Sequence, residues 1–592
     1  MTANSKIKII APTPNGKQLA EQLQRQLNAT IWESDDRLTD ALPKLWQTHD
    51  RLLFVLAVGA VVRLIAPLLQ DKTRDPGVVV VDETGKFVIS LSGGHLGGAD
   101  ELARQVAACL DVEPIITTAS EGQNLPAVDL LGKPYGWQRG GGDWLGVAKA
   151  MTRNQSIAVK QTCGFREIWQ GRNIEFDGEM LHPGEPPQAC LWISDELPPE
   201  MTIPCAAWHP RTLWVGIGCE RNTEMGLLEE ALKQSLKARN LALESIAGFA
   251  SLELKRDERG LLELAEKFQV PLKFYTAEEL AKIPVPNPSE IVKNAVGTPS
   301  VSEAAAIDAG GDGTTLILEK RVFRDDRGAC TISIARSPVE HNPNLGKLYL
   351  IGTGPGNLAQ LTAAARQALS RCDAVVGYKL YTDLLQPLFH PNQQILEGQM
   401  TKEVERAQQA IELAKRGLTV AVVSSGDCGI YGMAGLVLEC LAKGGWDGKN
   451  PDVEVFPGIT ALQAIAARVG APLMHDFCAI SLSDLLTPWD VIVKRLEAAA
   501  AADFVVALYN PKSQKRTEQI QTALAIFQNH RSPETPVAVA RSLYRENEKI
   551  EVTTLDRVDV GSIDMLTTVL IGNRSTFVHE NYAITPRGYV VS

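Results

Sequence analysis

Between residue 347 and the C-terminus, an apolar run leads three times directly into a glycine-rich turn that is followed by a helix-forming stretch. The three turns are GTGPGN, SSGDCG and PGIT. Buried parallel strands have continuous apolar sequences, and a glycine lets the chain turn sharply into the next helix. Open α/β sheets bind ligands at the carboxyl ends of such strands. The sequence therefore predicts an α/β domain with one ligand crevice formed by several strand ends.

The rest of the chain alternates strands and helices in the same way, with one interruption. A chain of 592 residues exceeds what one core usually serves, so we expect several domains. Apolar strands alternate with amphipathic stretches over residues 1–122 and 211–336, which predicts an α/β domain in each. Residues 123–210 have weak periodicity and predict a small irregular middle domain. The proline- and asparagine-rich residues 337–346 are expected to link to the last domain, residues 347–592.

Charge and cysteine usage exclude several classes of function. The net charge of −11 disfavours nucleic acid as a main partner. The ten cysteines include no CxxC pair, which argues against zinc ribbons and redox motifs and favours a reduced, cytoplasmic compartment. The N-terminus MTANSKIKIIAPT lacks a signal-type apolar run. The apolar residues 52–69 contain Arg63 and Pro67, so we interpret them as a buried strand that enters a helix rather than as a membrane span.

Five motifs follow one another in the last domain: GTGPGN, SSGDCGIYG, VFPGITA, GAPLMHDFCAISLSDLLTPW and ALYNPKSQKR. In this order they resemble the tetrapyrrole (precorrin) methyltransferase family, and more closely precorrin-3B C-17 methyltransferases, whose methyl donor is S-adenosylmethionine. The resemblance covers residues 346–592 and implies a fold in which two α/β subdomains enclose the donor. Cys428 stands where the family usually has proline, and we expect this to change the stiffness of the loop rather than its ligand.

The resemblance also implies which residues contact the donor. Carried over position by position, they are Gly354, Gly426, Asp427, Thr460, Ala461, Tyr509 and Thr568. For Tyr509 and Thr568, packing in the core or at a strand edge is an open alternative. Methyl transfer from a sulfonium requires alignment of the reactants and exclusion of water, so no covalent nucleophile is needed in this domain.

Methyltransferases of this type also contract the macrocycle, expelling one meso carbon and closing a δ-lactone, which requires proton transfer. His475 and Asp484 are the candidate catalytic residues, with further candidates at Asp476, Ser483, Tyr378 and Lys379. Alternatively, a histidine beside an aspartate in a loop forms a purely structural hydrogen bond. The candidates for binding tetrapyrrole carboxylates, each of which is alternatively solvated surface, are Lys379, Lys402, Arg406, Lys512 and Arg516.

In the first domain, SLSGGHLGGADELARQVA places His95 among glycines 93, 94, 97 and 98 at the start of a helix. Free amides and the helix dipole there favour an anion. Alternatively, the glycines only form a turn and His95 is exposed and idle. Together with VGIGCERNTE and IAGFASLELKRDERGL, where Arg221, Ser251 and Glu258 are polar candidates, this segment resembles cobalt-precorrin-5A hydrolase over residues 5–335.

The second resemblance implies opening of the δ-lactone with release of acetaldehyde, with His95 as the base and the amides of residues 94–98 as the oxyanion site. We therefore expect a bifunctional cobalamin-biosynthesis enzyme in which cobalt belongs to the substrate and the protein has no metal site of its own. A homodimer through the methylase domain fits the family. Two alternatives stay open: the methylase acts at another ring position, or the N-terminal half is a non-catalytic tetrapyrrole-binding module.

Overall fold

The computed structural model describes residues 6–72, 74–184, 186–399 and 402–589, so the first five residues of the N-terminal stretch considered above lie outside it. The first sheet has the order β2-β1-β3-β4-β5-β6, and only the pair β4–β5 is antiparallel. Its elements are β1 Ile7–Ile10, α1 Pro14–Leu27, β2 Thr30–Ile31, α2 Leu38–Thr48, β3 Arg51–Val55, α3 Val58–Ile65, β4 Gly77–Val81, β5 Val88–Ser92, α4 Ala99–Leu110, β6 Pro114–Ile115 and α5 Ala119–Gly122. The strand-to-helix interpretation of residues 52–69 is thus confirmed.

The middle region is more regular than its sequence pattern indicates, because it forms a five-stranded sheet in the order β7-β11-β10-β8-β9. Its elements are β7 Gln138–Gly142, α6 Trp144–Thr152, β8 Ile157–Gln161, β9 Met180–Leu181, β10 Ala189–Ile193 and β11 Cys205–His209. The strands are short and use glycine, alanine and tryptophan instead of β-branched runs, so they lack the usual strand signal. Large aromatic side chains, including the buried Tyr135, Trp137 and Trp208, fill the core instead.

The third sheet has the order β14-β13-β12-β16-β15. Its elements are β12 Leu213–Cys219, α7 Met225–Lys237, β13 Ile246–Leu252, α8 Arg259–Phe268, β14 Leu272–Tyr275, α9 Ala277–Leu280, α10 Glu290–Val296, α11 Ser302–Gly310, β15 Thr315–Asp325 and β16 Gly328–Arg336. All seven residues of β13 are buried, as expected for a strand that is covered on both faces.

The fourth sheet is wholly parallel, with the order β19-β18-β20-β17-β21. Its elements are β17 Lys347–Gly352, α12 Ala363–Leu369, β18 Ala374–Tyr378, α13 Lys379–Leu385, β19 Gln394–Gly398, α14 Glu403–Lys415, β20 Thr419–Ser424, α15 Ala434–Lys443 and β21 Asp452–Phe456. The three glycine turns follow β17, β20 and β21, which are direct neighbours. The prediction that the turns meet at one sheet edge is confirmed.

The remaining residues form a mixed sheet in the order β23-β24-β27-β25-β26 and a small sheet in the order β22-β29-β28. Their elements are α16 Ala461–Val469, β22 Gly470–Ala471, β23 Phe477–Ser481, α17 Trp489–Ala501, β24 Val505–Tyr509, α18 Gln519–His530, β25 Pro536–Arg541, β26 Lys549–Thr554, β27 Thr567–Ile571, β28 Phe577–His579 and β29 Tyr582–Ile584. In the described ranges, no helix has both the length and the apolar character needed to cross a membrane.

The middle region and the fourth sheet share one hydrophobic core, which extends from Leu125 to Leu441 in the chain. Backbone and side-chain hydrogen bonds join them at the edge strand β19. Ile395 N donates to Gly171 O at 2.9 Å, and Gln394 Nε2 donates to the carbonyls of Glu167 and Gln170 at 3.0 Å each. The edge of the sheet is therefore covered by another part of the same chain.

Candidate functional site

The first and second glycine turns are joined by a reciprocal pair of backbone hydrogen bonds. Gly354 N donates to Gly426 O at 3.0 Å, and Gly426 N donates to Gly354 O at 2.8 Å. Both residues have positive φ angles, of 71° and 69°, which glycine adopts without strain. A Cβ added to Gly458 of the third turn would lie 2.1 Å from Gly426 O. The three turns therefore touch through their backbones, and at position 458 only glycine fits.

Asp427 ties the second turn to the third. Its Oδ2 accepts a hydrogen bond from Gly458 N at 3.0 Å, and its Oδ1 accepts one from Gly429 N at 2.8 Å. The neighbouring Cys428 is buried, and its Sγ donates to Leu350 O at 3.3 Å. Burial raises the pKa of Cys428 to about 11. The thiol is therefore protonated and acts as a structural contact beneath β17.

Thr460 and Tyr509 connect the third turn to the mixed sheet. Thr460 Oγ1 lies 2.5 Å from the Tyr509 hydroxyl, which also accepts a hydrogen bond from Leu462 N at 2.8 Å. Ala461 is the first residue of α16. Leu508 pairs with Val569 in antiparallel register, so Thr568 lies next to Tyr509 at the same sheet edge. The structure thus brings all seven residues considered for donor binding into one connected series.

Two side chains that the motif analysis did not assign to donor binding also cross between the sheets. The Tyr431 hydroxyl donates to Ala479 O at 3.1 Å, and its ring centroid lies 5.1 Å from that of Tyr509. Arg545 Nε donates to Pro355 O, within the first turn, at 3.1 Å. Tyr431 could have been identified from the sequence, because an aromatic residue within a glycine-rich turn at a strand end indicates a ligand contact. Arg545 has no such signal, because nothing around it in the sequence marks a site.

The two catalytic candidates of this domain lie at opposite ends of β23. His475 precedes the strand, is 49% exposed, and accepts a hydrogen bond from Asp476 N at 2.9 Å through Nδ1. Asp484 follows the strand, at the end where Ser481 pairs with Tyr509. Gln519 Nε2 donates to Asp484 Oδ2 at 2.9 Å. Asp484 therefore follows the end of β23 that lies beside Tyr509, whereas His475 precedes the opposite end of the strand.

The basic side chains considered for substrate carboxylates all have protein partners. Lys379 pairs with Asp383 and Glu397, Lys402 with Glu405, and Arg406 with the Gln399 carbonyl and Glu403, while Lys512 donates to Val560 O and Arg516 to Asn510 O. A substrate carboxylate would have to compete with these contacts, which lowers its expected gain from any one of them.

His95 in the first domain is held between two polar side chains. Its Nδ1 lies 3.1 Å from Asp129 Oδ1, and its Nε2 lies 3.2 Å from Ser120 Oγ. Asp100 Oδ2 is more distant, at 3.9 Å from Nε2. The hydrogen bond to Asp129 raises the pKa of His95, which burial alone would lower. His95 is therefore partly buried and hydrogen-bonded through both ring nitrogens rather than exposed.

The glycine loop around His95 is tightly packed against its own sheet. A Cβ on Gly94 would lie 2.9 Å from both carboxylate oxygens of Asp100, and a Cβ on Gly97 would lie 2.8 Å from Gly77 N. Ala99 N and Asp100 N donate back to the carbonyls of Gly93 and Gly94 at 3.1 Å. Gly98 N, which the predicted oxyanion site included, donates to His95 O at 3.1 Å and is not free. Within the described ranges, the N–H groups of residues 94–97 donate to no protein acceptor. An anionic oxygen would therefore displace no protein acceptor from these amides.

The second polar cluster of this half is satisfied internally. Arg221 Nη1 donates to Asp257 Oδ1 at 2.6 Å, Asn222 N donates to Glu258 Oε1 at 2.5 Å, and Ser251 Oγ donates to Ile217 O at 2.7 Å. Hydrogen bonds of this kind hold the loops between β12, β13 and α8 together. The cluster therefore acts as structural support in this conformation.

Comparison with known proteins matches four consecutive segments of the chain to four family models. Residues 347–559 match the family model described as Tetrapyrrole (Corrin/Porphyrin) Methylases. Residues 40–121, 126–210 and 213–335 match the models described as Cobalamin synthesis G N-terminal, Cobalamin biosynthesis central region and Cobalamin synthesis G C-terminus.

Three curated relatives show how far the similarity extends. A cobalt-factor III methyltransferase of Priestia megaterium is 53% identical over 245 residues, which are 41% of this chain and only 45% of that protein. A probable cobalt-factor III C(17)-methyltransferase of Salmonella typhimurium is 49% identical over 41% of this chain and 100% of that protein. A cobalt-precorrin-5A hydrolase of Priestia megaterium is 36% identical over 50% of this chain and 82% of that protein. The chain therefore belongs to the tetrapyrrole methylase family through its C-terminal part and to the cobalamin synthesis G family through its N-terminal part.

Proposed function

We propose that the chain is a bifunctional enzyme of corrin-ring biosynthesis. Its C-terminal part methylates C-17 of precorrin-3B or cobalt-factor III with contraction of the ring, and its N-terminal part hydrolyses the δ-lactone of cobalt-precorrin-5A and releases acetaldehyde. The activities of the relatives support both halves, since the relatives include a probable C(17)-methyltransferase matched over its whole length and a cobalt-precorrin-5A hydrolase. Cobalt is then part of the substrate.

The contact of the three glycine turns carries the methyltransferase half of the proposal. Gly354, Gly426 and Gly458 keep side chains away from the sheet edge, while Thr460 and Tyr509 close it from the mixed sheet. A Cβ added to Gly426 would lie in van der Waals contact with Thr460 Cα at 3.5 Å, so the second turn lies directly against the start of α16. This cradle fits S-adenosylmethionine, which supplies an electrophilic methyl group when bound.

The protein's own part in methyl transfer is positioning. Backbone groups of the turns fix the donor, and Asp427 fixes the turns through Gly458 and Gly429. Holding the ring carbon and the methyl group in line and free of water supplies roughly 7–11 kcal/mol of the barrier reduction. Asp484, at the edge near Tyr509, is placed to exchange the protons that lactone formation requires.

His95 carries the hydrolase half of the proposal. With Nδ1 engaged by Asp129, the imidazole presents its Nε2 lone pair as a base. The unpaired amides of residues 94–97 supply donors for the oxyanion that forms when a lactone carbonyl is attacked. We also propose a homodimer through the methylase domain and a cytoplasmic location.

The decisive experiment offers each substrate to the full chain separately. With cobalt-factor III and S-adenosylmethionine, mass spectrometry and NMR should show one new methyl group at C-17; methylation at another position would overturn the regiochemistry. With cobalt-precorrin-5A, acetaldehyde should appear and should be lost in His95→Ala. Tight binding of this substrate without any acetaldehyde would make the N-terminal half a binding module instead.

A further inference from the structure

The polar side chains around His95 form a linear relay that the lactonase proposal, on which this inference rests, does not require. Asp129 Oδ1, the two ring nitrogens of His95 and Ser120 Oγ follow one another at 3.1 and 3.2 Å. An aspartate on Nδ1 and a serine hydroxyl on Nε2 is the arrangement by which a histidine activates a serine for acyl transfer. We propose that Ser120 is the nucleophile of the hydrolase half and forms an acyl-enzyme with the carbonyl of the lactone.

The hydrogen bonds determine which nitrogen of His95 carries the proton. A carboxylate only accepts, so the contact with Asp129 requires a proton on Nδ1. Nε2 of the neutral ring is then an acceptor, and Ser120 donates its hydroxyl proton to it. The charge of Asp129 also stabilises the imidazolium that forms when this proton moves.

Asp100 is the other carboxylate near Nε2, but it is engaged elsewhere. Its Oδ1 accepts a hydrogen bond from Ser90 Oγ at 2.6 Å, and its Oδ2 is 3.9 Å from Nε2, beyond hydrogen-bonding distance. Asp100 is also 5% exposed, whereas Ser120 is partly open to solvent. Ser120 is therefore the group that both contacts Nε2 and is accessible to a substrate.

Ser120 Oγ has no competing partner in the described part of the chain, since its only hydrogen bond is the one to His95. Two charged neighbours of the relay pair with each other, since Arg104 Nη2 donates to Glu121 Oε2 at 2.6 Å. A serine that only stabilised the fold would more commonly bond to backbone.

The reaction balances with water as the only co-reactant. Ser120 Oγ bonds to the lactone carbonyl carbon while its proton moves to His95 Nε2, and the oxyanion faces the amides of residues 94–97. The ring C–O bond then breaks, and the leaving alkoxide takes the proton from His95. Water, deprotonated by the same nitrogen, cleaves the ester, frees the carboxylate and restores the serine hydroxyl. The alcohol left by ring opening is the group from which acetaldehyde departs.

The first test measures acetaldehyde release by the full-length Ser120→Ala variant under single-turnover conditions. We expect a loss of about a thousandfold or more, with unchanged binding of cobalt-precorrin-5A by absorbance titration. Ser34→Ala, an exposed serine of the same domain, is the control and should keep the wild-type rate. If Ser120→Ala releases acetaldehyde at a rate within threefold of wild type, Ser120 is not the nucleophile, and the hydrolase proposal still stands. A wild-type chain that releases no acetaldehyde would instead contradict the hydrolase proposal.

The second test asks whether the bond is covalent. Acid-quenched wild-type protein and the Ser120→Cys variant, which keeps a nucleophile of similar size, are examined by mass spectrometry after mixing with cobalt-precorrin-5A. An adduct on the peptide that contains residue 120 supports the acyl-enzyme. If Ser120→Ala is inactive but neither protein gives an adduct, Ser120 positions the water and the covalent route is wrong.

Discussion

Nδ1 of His95 lies 3.1 Å from Oδ1 of Asp129, and the two residues lie in loops next to different sheets of the N-terminal half. His95 follows β5 of the first sheet, whereas Asp129 precedes β7 of the middle region. The proposed hydrolase site is therefore completed only when the middle region docks on the first sheet. This dependence gives the middle region a direct part in the chemistry.

Replacing Asp129 with asparagine should shift the pH dependence of lactone hydrolysis. The hydrogen bond to Asp129 raises the pKa of His95, so its loss lowers that pKa. A base must be unprotonated, so activity falls as the pH drops through the pKa of His95, and the variant's acidic limb should move to lower pH. Asp100 and Arg104, which also face His95, act in opposite directions and remain in place. The measurement is kcat/KM for acetaldehyde release against pH, with the exposed Asp312→Asn as control; an unshifted limb in Asp129→Asn would contradict the assignment.

Gly458→Ala should weaken binding of the methyl donor. The new Cβ would lie 2.1 Å from Gly426 O, so the second and third turns must separate. A displacement near 1 Å in a positioning site lowers the reaction rate by up to about a hundredfold, so methyl transfer should slow as donor binding weakens. Calorimetric titration with S-adenosylhomocysteine measures the effect. Gly435→Ala, where nothing lies within 4 Å of the added Cβ, is the matched control and should bind normally. Equal affinities for the two variants would show that the turns do not form the donor site.

Tyr509→Phe should destabilise the junction between α16 and the mixed sheet. The hydroxyl accepts from Leu462 N and bonds to Thr460 Oγ1, so its loss leaves both without that partner. We expect a cost of about 1 kcal/mol in the free energy of unfolding, together with weaker donor binding. Tyr582→Phe, at a 59% exposed site, should change neither. Denaturant titration and calorimetry provide the two readouts, and a fully stable Tyr509→Phe protein with normal affinity would refute the role given to the hydroxyl.

Gly171→Ala should loosen the contact between the middle region and β19. Its Cβ would lie 2.3 Å from Ile395 O, at a φ angle of +70°. Gly178→Ala separates backbone strain from steric overlap, because its φ angle is +105° but no atom lies within 4 Å of the added Cβ. Both variants carry backbone strain, and only Gly171→Ala should also speed amide exchange in residues 394–398. Similar exchange in the two variants would mean that the contact contributes little.

The glycine turns were predictable because local sequence determines them. An apolar strand, a glycine and a helix-forming stretch follow one another within a few residues, and parallel pairing then brings the strand ends together. The contact between Gly354 and Gly426 follows from that topology. His95 was recognisable for the same reason, since its glycines precede α4 directly.

Other parts of the sites depend on contacts that local sequence does not encode. Asp129 and Ser120 lie in segments without apolar periodicity. Ser120 meets His95 from α5 within the first domain, whereas Asp129 meets it only after the middle region has packed. Arg545 reaches Pro355 across the boundary of two sheets. His475 is a different case, because MHDF is a prominent motif while its histidine precedes β23, at the end of the strand opposite to Tyr509.

The hydrogen bonds of Gln394 and Ile395 with residues 167–171, together with the shared core, attach the two enzymes independently of the peptide that joins them. A molecule nicked between residues 336 and 347 would stay assembled. The benefit of covalent fusion then lies in synthesis. The two parts are made in equal numbers, and the apolar surfaces that form their shared core are not left exposed while each waits for its partner.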